Sequence, residues 1–335
     1  MPTSHGSARR AADVYAIYGT ALASRHPFTF NLLLCDAAPE VWFEVVEQAP
    51  LPTAWDAAPP RFDGRHRGVG SDIVGAVFEV DDCLVARFTG RADFFVWPDR
   101  IACHLHDERY WFAIEIWLFG TVLALWLERR GLLTLHAAAA VIGNSGAAFL
   151  STNKGGKSTL AAGLVQRGAR LLTDDILALE SGTDRVLGRP GYPQMRFWPE
   201  QARAVLGSAD GLDRVQPGSS KLRVPIGPAG FGAFQPRAVP MVALYLPERG
   251  ASQAVEIEPL PLADSLTCLV RHSFLVGVME ALGMAPARFR TFAALVQQVP
   301  LRRLRYPTGM PYLVETCVAV ERDIARLLDD PLLIR

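Results

Sequence analysis

Lysine is almost missing from this chain: among 34 basic residues only three, Lys154, Lys157 and Lys221, are lysine, and the rest are arginine. A protein that meets its surface charge with arginine has little reason to keep a lysine there. Two of the three fall close together in one Gly-rich turn. A compact, mobile ammonium suits a terminal phosphate oxygen better than a planar guanidinium does, so these lysines are candidates for phosphate contact. Net charge is missing too. The 34 acidic residues balance the 34 basic ones, which removes a strong electrostatic case for nucleic acid or an anionic membrane as a partner. The five cysteines (Cys35, Cys83, Cys103, Cys268, Cys317) are scattered, odd in number and without a Cys-x-x-Cys pair. That argues against a disulfide framework and for reduced, mostly buried thiols in a cytoplasmic protein. Long apolar runs are lacking as well. The most apolar stretch, Ile114 to Leu127, carries Glu115 and Gly120 and is shorter than the ~18 to 20 residues of a membrane span; it reads as a buried helix. Arg9 and Arg10 are not followed by the apolar segment of a signal peptide.

What is present is a 335-residue chain with 50% hydrophobic residues, enough for sizeable cores and, by length, about two domains. Its organising stretch runs from Phe149 to Asp175. The apolar run Ala147 to Leu150 predicts a strand. A polar, Gly-rich turn follows, and Gly156-Lys157-Ser158-Thr159 opens a helix carrying Leu160, Leu164 and Val165. Strand, loop and helix in that order are the context of a phosphate-binding loop. The first N–H groups of a helix lack internal partners and sit at the positive end of its dipole, so a phosphate placed there is solvated by protein. Lys157 then reaches the terminal phosphates and the Ser158 hydroxyl ligates Mg²⁺. Asp174-Asp175 closes the next short strand, Arg170 to Leu172. Adjacent acids facing such a loop can hold Mg²⁺ and accept a proton.

Before this stretch, short β-rich segments dominate. Tyr15, Tyr18, Leu22 and the run Phe28 to Leu34 suggest a first strand, and Val41 to Val46 alternates as a second. Val74 to Val80, Cys83 to Phe88, Phe94 to Pro98 and Ile101 to His106 follow, together predicting a small sheet domain. Cys103, His104, His106 and Asp107 invite a metal, but on a strand Cys103 faces away from both histidines, so alternating faces explain the cluster better. Trp111 to Arg130 reads as one helix linking the domains, ended by Gly131. Leu133 to Val141 is a strand bearing His136, and Gly143-Asn144-Ser145-Gly146 a hairpin turn, which puts His136 beside the loop. Later, Arg271, His272, Arg302, Arg303 and Arg305 are candidates for acidic-peptide or phosphate contact, set against ordinary surface charge.

Leu135-His136, the loop ending Gly156-Lys157-Ser158, Gly168-Ala169-Arg170-Leu171-Leu172-Thr173-Asp174-Asp175, Gly188-Arg189-Pro190-Gly191 and Trp198-Pro199-Glu200 together resemble the catalytic domain of HPr kinase/phosphorylase. They look most like the HPr-kinase-like proteins encoded beside ribosomally made peptides, lasso-peptide kinases included. The resemblance covers about residues 131 to 315. It implies an α/β fold, with an HPr-kinase-like P-loop domain (a mixed sheet with flanking helices, residues 131–335) preceded by a smaller β-rich domain (residues 1–130). It further implies ATP- and Mg²⁺-dependent transfer of the γ-phosphoryl group to a serine of a peptide or small protein, with a lasso-peptide precursor as first guess, HPr second and free serine third. By motif position, Asp174 is the general base, Ser158 and Asp175 hold Mg²⁺, and His136 lies by the attacking hydroxyl or the phosphates. Lys157 completes the catalytic set. Asn153, Lys154, Gly155, Gly156, Lys157, Ser158 and Thr159 form the nucleotide loop, and Lys221 and Arg223 match a basic segment that steadies phosphate charge. The loop departs from the family pattern: Ser151 and Lys154 stand where glycine is usual, and Asn153 and Gly155 become the residues able to take its backbone turn. The different-class alternative is a nucleotide-binding regulatory module without transfer; a homo-oligomer is left open.

Overall fold

The computed structural model describes residues 11–64, 74–152, 155–228 and 230–329. The chain forms two compact units, Met1–Trp117 and Leu118–Arg335.

The first unit is built on a nine-stranded mixed sheet. It opens with a hairpin, Asp13–Ile17 against Thr20–Ser24. The two turn residues, Tyr18 (φ 50) and Gly19 (φ 67), both take positive φ, the twist that a two-residue hairpin prefers. Thr20–Ser24 pairs in parallel with Val41–Val46, which pairs in parallel with Arg100–Leu105. Antiparallel strands Ala92–Val96, Cys83–Phe88 and Ala76–Val80 complete the run. The expected first strand is instead this hairpin, with Tyr18 in its turn, and of Phe28 to Leu34 only Leu33–Leu34 pairs, whereas the later expected strands are present. The segment's backbone is occupied otherwise: Thr29 and Phe30 donate their N–H groups to the Glu115 carboxylate. Cys103 is buried while His106 Nε2 lies 3.0 Å from Asp93 Oδ2. No group of three or more metal-ligating side chains occurs among the described residues.

The stretch Glu108–Arg129 is longer than expected and, by length and composition alone, apolar enough to cross a membrane, yet most of it is buried in the protein. It is not one regular helix. A 3₁₀ segment (Glu108–Ala113), an α turn (Ile114–Trp117), a π segment (Leu118–Val122) and an α-helix (Leu123–Arg129) follow one another, broken at Gly120 (φ −98, ψ −107).

The second unit is a mixed sheet covered on both faces. Its centre is Leu133–Ile142, whose Ala137 to Ala140 are all fully buried. Side chains alternate across a strand, and the two sets go to different cores. Ala138 and Ala140 pack with Leu160, Leu164, Val320 and Ile324, whereas Ala137, Ala139 and Val141 pack with Leu269, Phe292 and Leu295. Small residues on both faces let helices approach from both sides, here Lys157–Gln166 and Leu313–Asp329 on one and Leu262–His272 and Ala285–Gln298 on the other. The same strand pairs antiparallel with Ser145–Leu150 along one edge. On its other edge it pairs with Arg170–Thr173 and, further along, with Ile176–Ser181. Asp174 and Asp175 sit between those last two pairings.

Candidate active site

Ser145–Leu150 is fully buried and runs directly into the loop. Ser151 is buried at its start, and the helix begins at Lys157 with Gly156 before it at φ 94, a left-handed value that glycine takes without strain. A Cβ on Gly156 would stand 2.8 Å from Tyr306 Oη, and one on Gly155 would collide with Ser151 Oγ. Gly155 therefore packs closely on Ser151, and the start of a ten-residue helix, whose first N–H groups have no partner within it, lines a cleft.

That cleft has a volume of about 760 Å³, within the range of about 300 to 1,000 Å³ usual for ligand sites. Gly155, Gly156, Lys157, Ser158, Thr159, His136, Asp174, Asp175 and Lys221 all line it. Of the residues expected from the sequence, Arg223 does not: its guanidinium Nε donates to the Arg214 carbonyl, and it sits opposite Arg196 in a two-stranded ladder. Asn153 and Lys154 lie outside the described residues.

Lys157 is 7% exposed, and its Nζ donates to the Ser151 carbonyl at 2.7 Å. Burial lowers its pKa, opposed by the charges of Asp175 and Asp174. Ser158 Oγ donates to Asp174 Oδ1 at 2.7 Å, and the Arg196 N–H donates to Asp174 Oδ2 at 2.9 Å. Burial nevertheless pushes the Asp174 carboxyl up. Asp175 behaves oppositely. Burial pushes its pKa up, but the His136 hydrogen bond and the charges of Arg196, His136 and Lys221 outweigh this and hold it well below the usual carboxylate range. His136 Nδ1 lies 3.2 Å from Asp175 Oδ1 and 3.1 Å from its backbone oxygen, and Arg196 Nη1 lies 3.3 Å from Asp175 Oδ2. Asp175 has φ 89, a conformation that costs a non-glycine residue on the order of 1 to 3 kcal/mol and tends to mark functional sites.

Sequence reasoning missed several lining residues. Gln201 lines the cleft and donates through Nε2 to Thr159 Oγ1. Arg249, Tyr306, Thr308 and Met310 form another stretch of the wall. They are remote in sequence from the loop, and nothing local marks them. Arg196 did leave a signal, being a charge between two fully buried apolar neighbours, Met195 and Phe197. Arg302, Arg303 and Arg305, raised as phosphate contacts, are paired instead with Asp323, Glu248 and Glu258. His272 is buried.

The described donor set for a cation is hard oxygen: the Ser158 hydroxyl with the Asp174 carboxylate against it and Asp175 nearby. Such a set fits Mg²⁺, which takes few protein ligands and fills its shell with water and substrate phosphate.

No family model matches the chain, and no curated protein does. Among solved structures it is similar to an Hpr(Ser) kinase/phosphatase from Coxiella burnetii at 16% identity, covering 58% of this chain and 98% of that one, with a TM-score of 0.30. At that TM-score the chemistry of this chain rests on its own geometry.

Proposed function

We propose that the second unit is an ATP-dependent phosphotransferase, a kinase that moves the γ-phosphoryl group to a serine hydroxyl of a peptide or small protein. The observation that carries this is the 2.7 Å hydrogen bond from Ser158 Oγ to Asp174 Oδ1. It ties the first turn of the loop helix to an acid pair inside one cleft. A bare Gly-rich turn before a helix has no such partner.

In this reading the N-terminal N–H groups of Lys157–Gln166 bind the donor's phosphates, and Lys157 leaves the loop carbonyl for a phosphate oxygen. Asp174 takes the proton from the serine hydroxyl. The serine oxygen bonds to the γ-phosphorus as the bond to the β,γ-bridging oxygen breaks, and ADP leaves with that electron pair. Lys221 faces the charge that spreads over the transferring group. Ser158, with Asp175, would hold Mg²⁺, which supplies charge neutralisation on the phosphates when bound. Most of the catalysis is positioning, since phosphoryl transfer asks little covalent chemistry of the protein. The acceptor class, a lasso-peptide precursor first, is carried by the family resemblance alone.

The test is transfer of label from [γ-³²P]ATP with Mg²⁺ to the peptide encoded beside this gene and to a serine-containing peptide library. Wild type is expected to label serine and Asp174→Asn to lose labelling while still binding ATP. Equal labelling by both would remove the base assignment. ATP binding without labelling of any acceptor would favour a regulatory module.

A further inference from the structure

The two acids of the cleft are held by a residue that the phosphate-loop reading leaves without an assigned place. Arg196 lies on the strand Gln194–Phe197, fastened from the opposite side by Met195 and Phe197 in the core shared with the loop helix. Its backbone N–H donates to Asp174 Oδ2 at 2.9 Å, Nη1 reaches Asp175 Oδ2 at 3.3 Å, and Nη2 donates to Tyr192 Oη at 3.1 Å. Its side chain is 16% exposed and lines the cleft.

We propose that Arg196 is the positioning residue of this cleft: it fixes the spacing and aim of Asp174 and Asp175, gripping one through its backbone and the other through its guanidinium, which Tyr192 anchors. The proposal deepens the phosphotransfer reading and rests on it.

Two physical points support it. Adjacent carboxylates repel, and a cation shared between them offsets that repulsion most where solvent is scarce. Of the other charged groups facing the pair, Lys157 donates to Ser151 O, Lys221 stands over Trp198, His136 holds Asp175 Oδ1, and Glu200 adds negative charge. Arg223 neighbours Arg196 across the ladder but does not line the cleft. The second point is backbone strain. A residue at φ 89 keeps that conformation only where its surroundings over-determine it. Contacts to two different carboxylate oxygens, from His136 and Arg196, do so for Asp175. The planar fork lets one side chain reach Asp175 and Tyr192 in separate directions, which a lysine cannot copy. Tyr192 is itself 4% exposed, with its ring centre 5.8 Å from that of Phe119, so the anchor is fixed by packing.

Steady-state transfer from Mg–ATP to the labelled serine peptide, with ATP binding measured separately, tests this on the full chain. Arg196→Ala is expected to lower kcat by about 100-fold, the scale of a roughly 1 Å misplacement, while KM for ATP changes less than about threefold. Millimolar guanidinium should restore a measurable part of that loss. Arg196→Lys should recover little, and Tyr192→Phe should lower kcat by about two- to tenfold, as loss of one hydrogen bond would. An unchanged kcat in Arg196→Ala, a fall in kcat matched by a fall in folded fraction, or no response to guanidinium would overturn the proposal. If Arg196→Ala does not fold, Tyr192→Phe decides, and an unchanged kcat there is contrary. Wild type that neither binds ATP nor transfers phosphate would instead bring down the phosphotransfer reading, and this proposal with it.

Discussion

Each unit of this protein sets an aspartate between an arginine and a histidine, and the two trios differ in every respect that matters for chemistry. In the first unit Asp93 is 4% exposed and takes a paired grip from Arg87, at 2.8 and 3.0 Å, with His106 Nε2 at 3.0 Å. Arg87 also packs on Trp55 and Phe78, 4.8 and 5.3 Å from their ring centres. In the second unit Asp175 has its side chain 34% exposed and its contacts to Arg196 and His136 at 3.3 and 3.2 Å. It adopts positive φ and opens onto a cleft with Lys157 and Ser158. The same residue types make a closed brace across a sheet in one place and an open acid site in the other. What separates them is room for a ligand, looser contacts and backbone strain, not residue identity or charge.

The comparison breaks most sharply if the wrong trio controls the rate. Asp174→Asn, beside the open trio, should lower phosphoryl transfer by about 10² to 10⁴, the usual worth of a positioned base, with ATP affinity retained; kinetics with a binding titration checks both. Asp93→Ala should do the reverse. It removes a buried acceptor of Arg87 and His106, while Arg87 keeps its pair with Asp56, and should cost roughly 1 to 3 kcal/mol of stability by denaturant unfolding, with the rate per folded molecule unchanged.

A third prediction concerns pH. Burial, with the charges of Lys157, Arg271 and His136, lowers the His272 pKa to about 4. The unfolded chain, with an ordinary value near 6.5, then binds more protons than the folded one between those limits. Stability from this group is present in full above about pH 6.5 and is lost as pH falls to about 4. His272→Gln should flatten that part of the stability profile, while a slope unchanged by the substitution would mean that other groups set it. The smallest effect separates strain from function in the open trio. Asp175→Gly and Asp175→Ala both lose the carboxylate that His136 and Arg196 hold, but only the glycine removes the left-handed penalty, so it should be the more stable of the two by roughly 1 kcal/mol, while transfer falls in both. The same pair of changes at Asp93, whose strand backbone is regular, should show no such advantage for glycine.

Much of the second unit was legible because its signals are local. The apolar run, the Gly-Lys-Ser-Thr helix start, the hairpin at Gly143 and the paired acids all lie within a short span, and the sheet brings His136 in from the neighbouring strand. The less legible parts depended on remote partners or unusual turn residues. Tyr18 occupies a positive-φ turn position that Asn or Asp would have advertised, so the first hairpin was hidden among apolar residues. Gly120 breaks the long apolar helix, which its periodicity does not reveal. The arginines of Leu301–Tyr306 looked available for phosphate until cross-strand pairing set them against Glu248, Glu256 and Glu258. Arg196 carried a local hint, but only the fold shows that its backbone and side chain reach different acids.

Calorimetric titration of Mg–ATP into the wild-type chain and into Lys157→Ala is the most direct measurement of the central claim, that this cleft holds a nucleoside triphosphate through the loop helix and its lysine. The account predicts saturable binding at one site in the wild type, weakened about 100-fold or more by the substitution. Equal affinity in the two proteins, or no heat of binding in either, would contradict it.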